Sequence, residues 1–382
     1  MLEPNGSDTA PMNDVHTPSP ALRLYGADIS YFSAKVRAYL RWKGLPFEEV
    51  HANRDVYRHT IIPRIGFPVI PVVHTPEGAW LQDSTDIIDT LESQHPDPSI
   101  QPPGAVQQLV ARLLELLGDE WLLLPAMHYR WHHNRDWAIQ AFGALAMPEG
   151  SEAEQRSAGE RSAGPFAQAA ELLGAEPAMH AAVEQAYLGL LQELNTHFEQ
   201  HPFALGAHAS VADFGLYGPL YAHLYRDPAS GAIMKQRAPA VVRWIERLSA
   251  APVQPLAAFP ATGQIPETLL PILARQMREQ LPDLTETAHR FQAWLTLNPD
   301  EPVPRVIGKH AFRLEGQTGQ RITRPYALWM LQRARETYLA TRGDGRVAAD
   351  QLLDQVGGDA FRRFEDPPPL RRDGMSVALV SA

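Results

Sequence analysis

The residues able to do chemistry in this chain are mostly hydroxyls and carboxylates placed at helix starts. There is no cysteine, so disulfides, thiolate metal sites and cysteine nucleophiles are excluded. The run Ser30-Tyr31-Phe32-Ser33-Ala34-Lys35-Val36-Arg37 stands between an apolar segment and an amphipathic one, and in its plainest reading Ser30 is a helix N-cap. Gln82-Asp83-Ser84 opens a second amphipathic segment. Free N–H groups and the positive dipole end favour a bound carboxylate there, and Asp83 and Ser84 cap the helix whether or not a ligand binds. Ser210-Val211-Ala212-Asp213 has the Ser-x-x-Asp form of a capping box, a structural role. Met127 to His133 is aromatic and polar at once, which suits an apolar substrate needing a few directional contacts. His128 and His132 are four apart and share a helix face. No Glu completes a zinc-protease motif with them, so packing is the plainer role and no metal is expected.

The elements around these residues follow from periodicity and punctuation. Ala21 to Tyr25 is a short apolar run ending at Gly26. Ala34, Val36, Ala38, Tyr39, Leu40 and Trp42 mark one broad helical face, stopped at Gly44. Strand-like segments follow at Pro46 to His51, Val69 to His74 and Ala79 to Gln82, and a helix carries Ile87, Ile88 and Leu91. The predicted order is β-α-β-α-β-β-α. Pro96, Pro98, Pro102 and Pro103 then mark a domain boundary.

From Ala105 the pattern is helical, with Leu109, Val110, Leu113, Leu114, Leu117 and Trp121 mostly three and four apart. Pro148 to Pro165, rich in Gly, Ser, Ala and Glu, reads as a flexible insertion. Helices are expected over Pro177 to Gln200, from Ser210, and over Pro239 to Leu248. Beyond Ala250, Leu269 to Leu281 and Leu284 to Leu297 read as two helices. His310 to Leu314 and Gln320 to Thr323 read as a hairpin, and Tyr326 to Leu339 as a last helix whose Tyr326, Trp329 and Tyr338 pack the extension onto the body. Residues 343–382 are charged and rich in Gly and Pro, and are expected to be mobile, as is the polar tail 1–20.

The chain has 382 residues, 45% of them hydrophobic and 20% charged, which predicts more than one domain. A net charge of −10 argues against nucleic acid as partner. No apolar run reaches the ~18 residues of a membrane span. Met1 to Pro20 has no basic stretch followed by an apolar one, so a secretory signal is not expected and a cytoplasmic location is the default.

Taken in order, the Ser30 to Arg37 run, Val69-Ile70-Pro71-Val72-Val73, Gln82-Asp83-Ser84 and the Ser210 to Asp213 box resemble the glutathione S-transferase superfamily over residues 21–248. The resemblance implies an α/β thioredoxin-like glutathione-binding domain over 21–96, an all-α glutathione S-transferase C-terminal domain over 105–248, and a mixed α+β extension over 250–342. It implies a cis bond before Pro71, with the Ile70 amide and carbonyl offered to the extended tripeptide, and Asp83 and Ser84 holding its γ-glutamyl end. It implies Ser30 as the hydroxyl that holds the glutathione thiolate, with Tyr25, Tyr31 and Ser33 as rivals. Glutathione is then the co-substrate, an electrophilic small molecule the second substrate, and a homodimer the expected state. Where many relatives carry a Lys just before the apolar-Pro element, this chain has Phe67-Pro68-Val69, leaving Lys35, Arg37 and Lys43 as substitutes for the glycyl end.

Overall fold

The computed structural model describes residues 21–250, 257–260 and 263–380; the tail 1–20 lies outside them. Its first part is a four-stranded sheet in the order β2-β1-β3-β4, made of β1 Leu22–Gly26, β2 Phe47–His51, β3 Val72–His74 and β4 Trp80–Gln82. β1 runs parallel to β2 and antiparallel to β3, which is antiparallel to β4. Helix α1, Tyr31–Trp42, buries the apolar positions that the sequence sets on one face. α2, Ser84–Gln94, buries Ile87, Ile88 and Leu91. The Ile70–Pro71 bond is cis, as is Asp97–Pro98.

The second part is helical. α3, Ala105–Leu116, continues through a wider turn, Leu117–Trp121, in which the Leu122 amide reaches back to the Leu117 carbonyl. This turn absorbs the Gly118-Asp119-Glu120 interruption of the apolar stripe. α4 is Leu123–His128 and α5 Arg135–Ala146, joined by a second such turn, Tyr129–His133. The expected flexible insertion is instead α6, Glu152–Leu172. Small residues let it pack closely on α5: a Cβ at its Gly159 would overlap the Ile139 carbonyl of α5, and one at Gly143 of α5 the Gln155 carbonyl. α7 is His180–Gln200, α8 Val211–Pro219 and α9 Pro239–Ser249.

Asp213 ties these helices together. One of its oxygens accepts from the Ala204 amide at 2.9 Å and the Trp244 indole at 3.0 Å. The other accepts from the Ser210 amide at 2.9 Å and the Ser210 hydroxyl at 3.3 Å. Burial pushes the carboxyl up to about 6, against the pull of these donors. An Asn would turn an NH₂ toward two donors. Asp213→Asn is therefore expected to cost about 2–4 kcal/mol in urea unfolding.

The extension is built into the body. Leu270–Leu297 is one helix, α10, running through Pro282 rather than two. Its Gln276 and Gln280 amides donate to the Leu113 and Leu116 carbonyls of α3 at 2.7 and 3.1 Å. β5 Lys309–Leu314 and β6 Gln317–Ile322 form a hairpin with a tighter turn than expected. α11, Tyr326–Ala340, follows.

Past Arg342 the structure departs from expectation. α12, Gly343–Gln355, a short helix Asp359–Arg362 and a hairpin of β7 Leu370–Asp373 and β8 Ser376–Leu379 are all formed. Ala349, Leu352, Leu353 and Val356 form a buried stripe on and just after α12, and Phe361, Phe364, Leu370 and Val377 are buried after it. Arg335 on α11 clamps the rest, donating to the Phe361 and Phe364 carbonyls and the Asp366 carboxylate. Among the described residues, no helix is long and apolar enough to cross a membrane.

Candidate functional site

Strand register brings the three sequence motifs to one end of the sheet. Tyr25 at the end of β1 pairs with Val72 at the start of β3, and Val72 pairs with Gln82 at the end of β4. The loop carrying Ser30, the Ile70–Pro71 bond and the Asp83-Ser84 pair all leave the sheet from that end. The β3 ladder begins at Val72, so the main chain of Ile70 is outside it and has no backbone partner among the described residues. Pro71 is buried and Ile70 half-buried.

Ser30 caps α1, its hydroxyl oxygen accepting from the Ser33 amide at 3.3 Å. It is half-buried, whereas Tyr25, Tyr31 and Ser33 are buried. The Tyr31 hydroxyl donates to the Gly118 carbonyl, and burial, with the Asp119 charge beside it, raises that phenol well above its ordinary range. Ser33 Oγ accepts from the Ala27 amide at 3.4 Å. Tyr25 stacks on Trp80 with ring centroids 5.4 Å apart. Ser30 is the one of the four with open surface.

Asp83 caps α2 by accepting from the Thr85 and Asp86 amides at 2.9 and 3.4 Å. Its φ is 79°, a conformation costing a non-glycine residue about 1–3 kcal/mol and found mostly where surroundings over-determine it. The extension supplies that surrounding. Tyr326 of α11 donates its hydroxyl to Asp83 Oδ2 at 2.6 Å. Arg372 of β7 donates to the Gln82 side chain and carbonyl at 3.0 and 2.8 Å, pairs with Asp86, and stands 3.8 Å from Asp83. Burial opposes the Arg372 charge, but Asp83 and Asp86 outweigh it and raise its pKa. Ser84 is buried behind these contacts.

The three substitutes for a glycyl-end lysine are committed elsewhere. Lys35 is buried and donates to Thr85 Oγ1, Glu115 Oε1 and Asp119 Oδ2 at 3.0, 2.9 and 2.5 Å. Burial opposes the Glu115 charge, but Lys35 and Arg112 hold that carboxyl far below the usual range, while burial raises Asp119. Arg37 is paired with Glu49. Lys43 donates to the Pro98 carbonyl at 2.8 Å and lies 3.0 Å from Glu92.

Arg130 escaped the sequence reading. Buried in the turn after α4, it pairs with Asp227 through two 2.8 Å bonds and donates to the Ala222 carbonyl at 2.7 Å. Its remaining arm donates to the Ile29 carbonyl at 2.7 Å, fixing the residue before Ser30. A long cation inside the apolar stretch Leu122 to Trp131 was the available signal. Near it, His128, His132 and His133 cluster with His180 and Glu184 of α7. Burial holds His128 down to about 4.

Family profiles match two regions: "Glutathione S-transferase, N-terminal domain" over residues 24–99 and "Glutathione S-transferase, C-terminal domain" over 168–247. No curated protein matches the sequence. Among solved structures, a glutathione S-transferase from Rhodospirillum rubrum F11 is similar at 17% identity over 64% of this chain and 96% of its own, with a TM-score of 0.39. One from Methylobacterium radiotolerans, in complex with glutathione sulfonate, is 22% identical over 63% and 98%, TM-score 0.40. The beta-etherase LigF of Sphingobium sp. strain SYK-6 is 18% identical over 61% and 97%, TM-score 0.43. These likenesses are too distant to bear on activity.

Proposed function

Since the chain belongs to the glutathione S-transferase superfamily, we propose that it binds glutathione along Ile70, Pro71, Asp83 and Ser84 and activates the thiol at Ser30 for attack on an electrophilic small molecule. The observation that carries this reading is the convergence of the three motifs at one end of the sheet. The unpaired Ile70 main chain suits an extended peptide. The start of α2 suits the γ-glutamyl carboxylate, and Asp83 the amino group beside it. The Ser30 hydroxyl donates to the sulfur, and the positive end of α1 lowers the thiol pKa. The thiol proton passes to solvent. The thiolate then forms a C–S bond with the electrophilic carbon, and the leaving group departs with its electron pair.

Isothermal titration of the full chain with reduced glutathione tests the reading. Saturable binding weakened in Ser84→Ala supports it. In a turnover assay Ser30→Ala is expected to lose about 10²-fold with binding retained, by analogy with removal of one donor from an anion site; unchanged turnover would remove Ser30 as the thiolate donor. A cytoplasmic homodimer belongs to the same reading, and a monomer by sedimentation would remove the dimer.

A second reading is favoured by the contacts of Tyr326 and Arg372. With the Asp83 carboxylate already engaged by the extension, the fold could serve as a non-catalytic binding or assembly module. Absence of glutathione binding up to millimolar concentration, in the wild type and in variants that release Asp83, would favour it.

A further inference from the structure

We propose that the helical domain holds a late first-row divalent metal ion, Zn²⁺ foremost, between His128 Nε2, His133 Nε2 and Glu184 Oε1. The three ligand atoms lie within 4.8 Å of one another. Both imidazole nitrogens converge on the same carboxylate oxygen, at 2.9 and 2.8 Å. A tetrahedral Zn²⁺ with bonds of about 2.0–2.1 Å needs its ligand atoms roughly 3.3 Å apart, so a small withdrawal of the Glu184 oxygen from the two imidazoles, with adjustment of the rings, would admit the ion.

The backbone explains how five-spaced histidines come to share a face. His128 ends α4, and Tyr129–His133 is the wider turn, closed by the Asn134 amide on the Tyr129 carbonyl at 3.1 Å. In such a turn, residues five apart stack along the axis. His133 thereby joins His128 on the face turned to α7, an arrangement that ordinary helical spacing, which pairs His128 with His132, does not predict. Glu184 and His180, four apart on α7, meet them from the other side. The His180 ring lies 4.5 Å from that of His128 and 4.0 Å from that of His132. Its Nε2 donates to the Ala175 carbonyl at 3.2 Å, which leaves Nδ1 as the lone-pair nitrogen. His180 packs against this group without joining it, and water takes the fourth position, as in other three-ligand zinc sites.

Imidazole and carboxylate donors without thiolate suit Zn²⁺, Ni²⁺ and Cu²⁺ better than Mg²⁺ or Ca²⁺. His128 is buried, Glu184 half-buried and His133 exposed, so the site has an open side through which an ion enters. A bound ion would fasten the turn to α7. That turn also carries Arg130, whose guanidinium holds the Ile29 carbonyl next to Ser30, and the metal would act there as a positioning device.

The test uses the full chain stripped with a chelator and titrated with ZnCl₂, with CoCl₂ as the coloured reporter. His133 and Glu184 are open enough that His133→Ala and Glu184→Gln should fold, which circular dichroism checks. The expected result is one equivalent of Zn²⁺ per chain at micromolar affinity or better. Co²⁺ should show the strong visible bands of a tetrahedral site. Affinity should fall at least about tenfold in each variant and stay unchanged in His59→Ala, which alters an exposed histidine in the first domain. No binding at about 100 µM Zn²⁺, or equal stoichiometry and affinity in wild type, His133→Ala and Glu184→Gln, would overturn the proposal.

Discussion

Lys35→Met is expected to destabilise the protein by about 3–5 kcal/mol, because it removes the cation shared by two buried carboxylates and, among the described residues, leaves Asp119 without an ion-pair partner. Lys35 on α1 binds Thr85 at the start of α2 and Glu115 and Asp119 in and after α3, so it joins the two domains through a fully buried site. Without the ammonium, Glu115 keeps Arg112, but Asp119 is left buried beside the Glu115 charge, and its folded pKa rises further above the unfolded one. The folded variant then binds more protons than the unfolded chain, so its stability recovers as pH falls through that window. Urea unfolding at pH 8 and pH 5 checks both points: a large deficit at the higher pH and a smaller one at the lower. A deficit under about 1 kcal/mol at pH 8 would mean that the pair is not held as an ion triad.

Tyr326→Phe combined with Arg372→Ala is expected to raise affinity for glutathione by about 10- to 100-fold. A hydrogen bond to a charged group contributes about 1.5–3 kcal/mol, and the ligand's amino group must displace the one that Tyr326 makes with Asp83. If the contact keeps only a few per cent of molecules open, apparent affinity is reduced by that fraction, and removing the contact restores it. The fold should survive, since Asp83 keeps its two cap bonds to the Thr85 and Asp86 amides. Titration calorimetry on the two proteins reads the effect directly. Equal or weaker binding in the double variant would show that the extension does not compete for the Asp83 end.

What could be read from the sequence was local. Ser30, Ile70-Pro71 and Asp83-Ser84 each sit at a strand-to-helix or loop-to-strand junction, where cap chemistry and proline geometry leave a short-range signature. The succession of strands and helices along residues 21–96 and the Ser210 to Asp213 box were legible for the same reason. Tyr326 was foreseen only as packing. Its bond to Asp83 joins residues 243 apart in sequence, and nothing local marks such a pairing. The chain past Arg342 reads as mobile because its one apolar stripe, Ala349, Leu352, Leu353 and Val356, is short and sits among charged, Gly-rich and Pro-rich sequence, and because the Arg335 and Arg372 contacts that hold it are long-range. α6 reads as flexible because the residues it buries are small, Ala158, Gly159, Ala163 and Ala170, which gives close helix contact without an apolar pattern. The wider turns, which set Arg130 toward Ile29 and His133 beside His128, break the 3.6-residue period on which helical faces are assigned.

The account rests most on Ser30 and the start of α1 holding a glutathione thiolate. The direct measurement is the ultraviolet absorbance of that thiolate against pH, in the open Tyr326→Phe/Arg372→Ala protein with and without Ser30→Ala. The bound thiol is expected to ionise at least about one unit below the ~8.5 of a free cysteine thiol, and to return toward it when the Ser30 hydroxyl is removed. The same titration curve with and without that hydroxyl would contradict it.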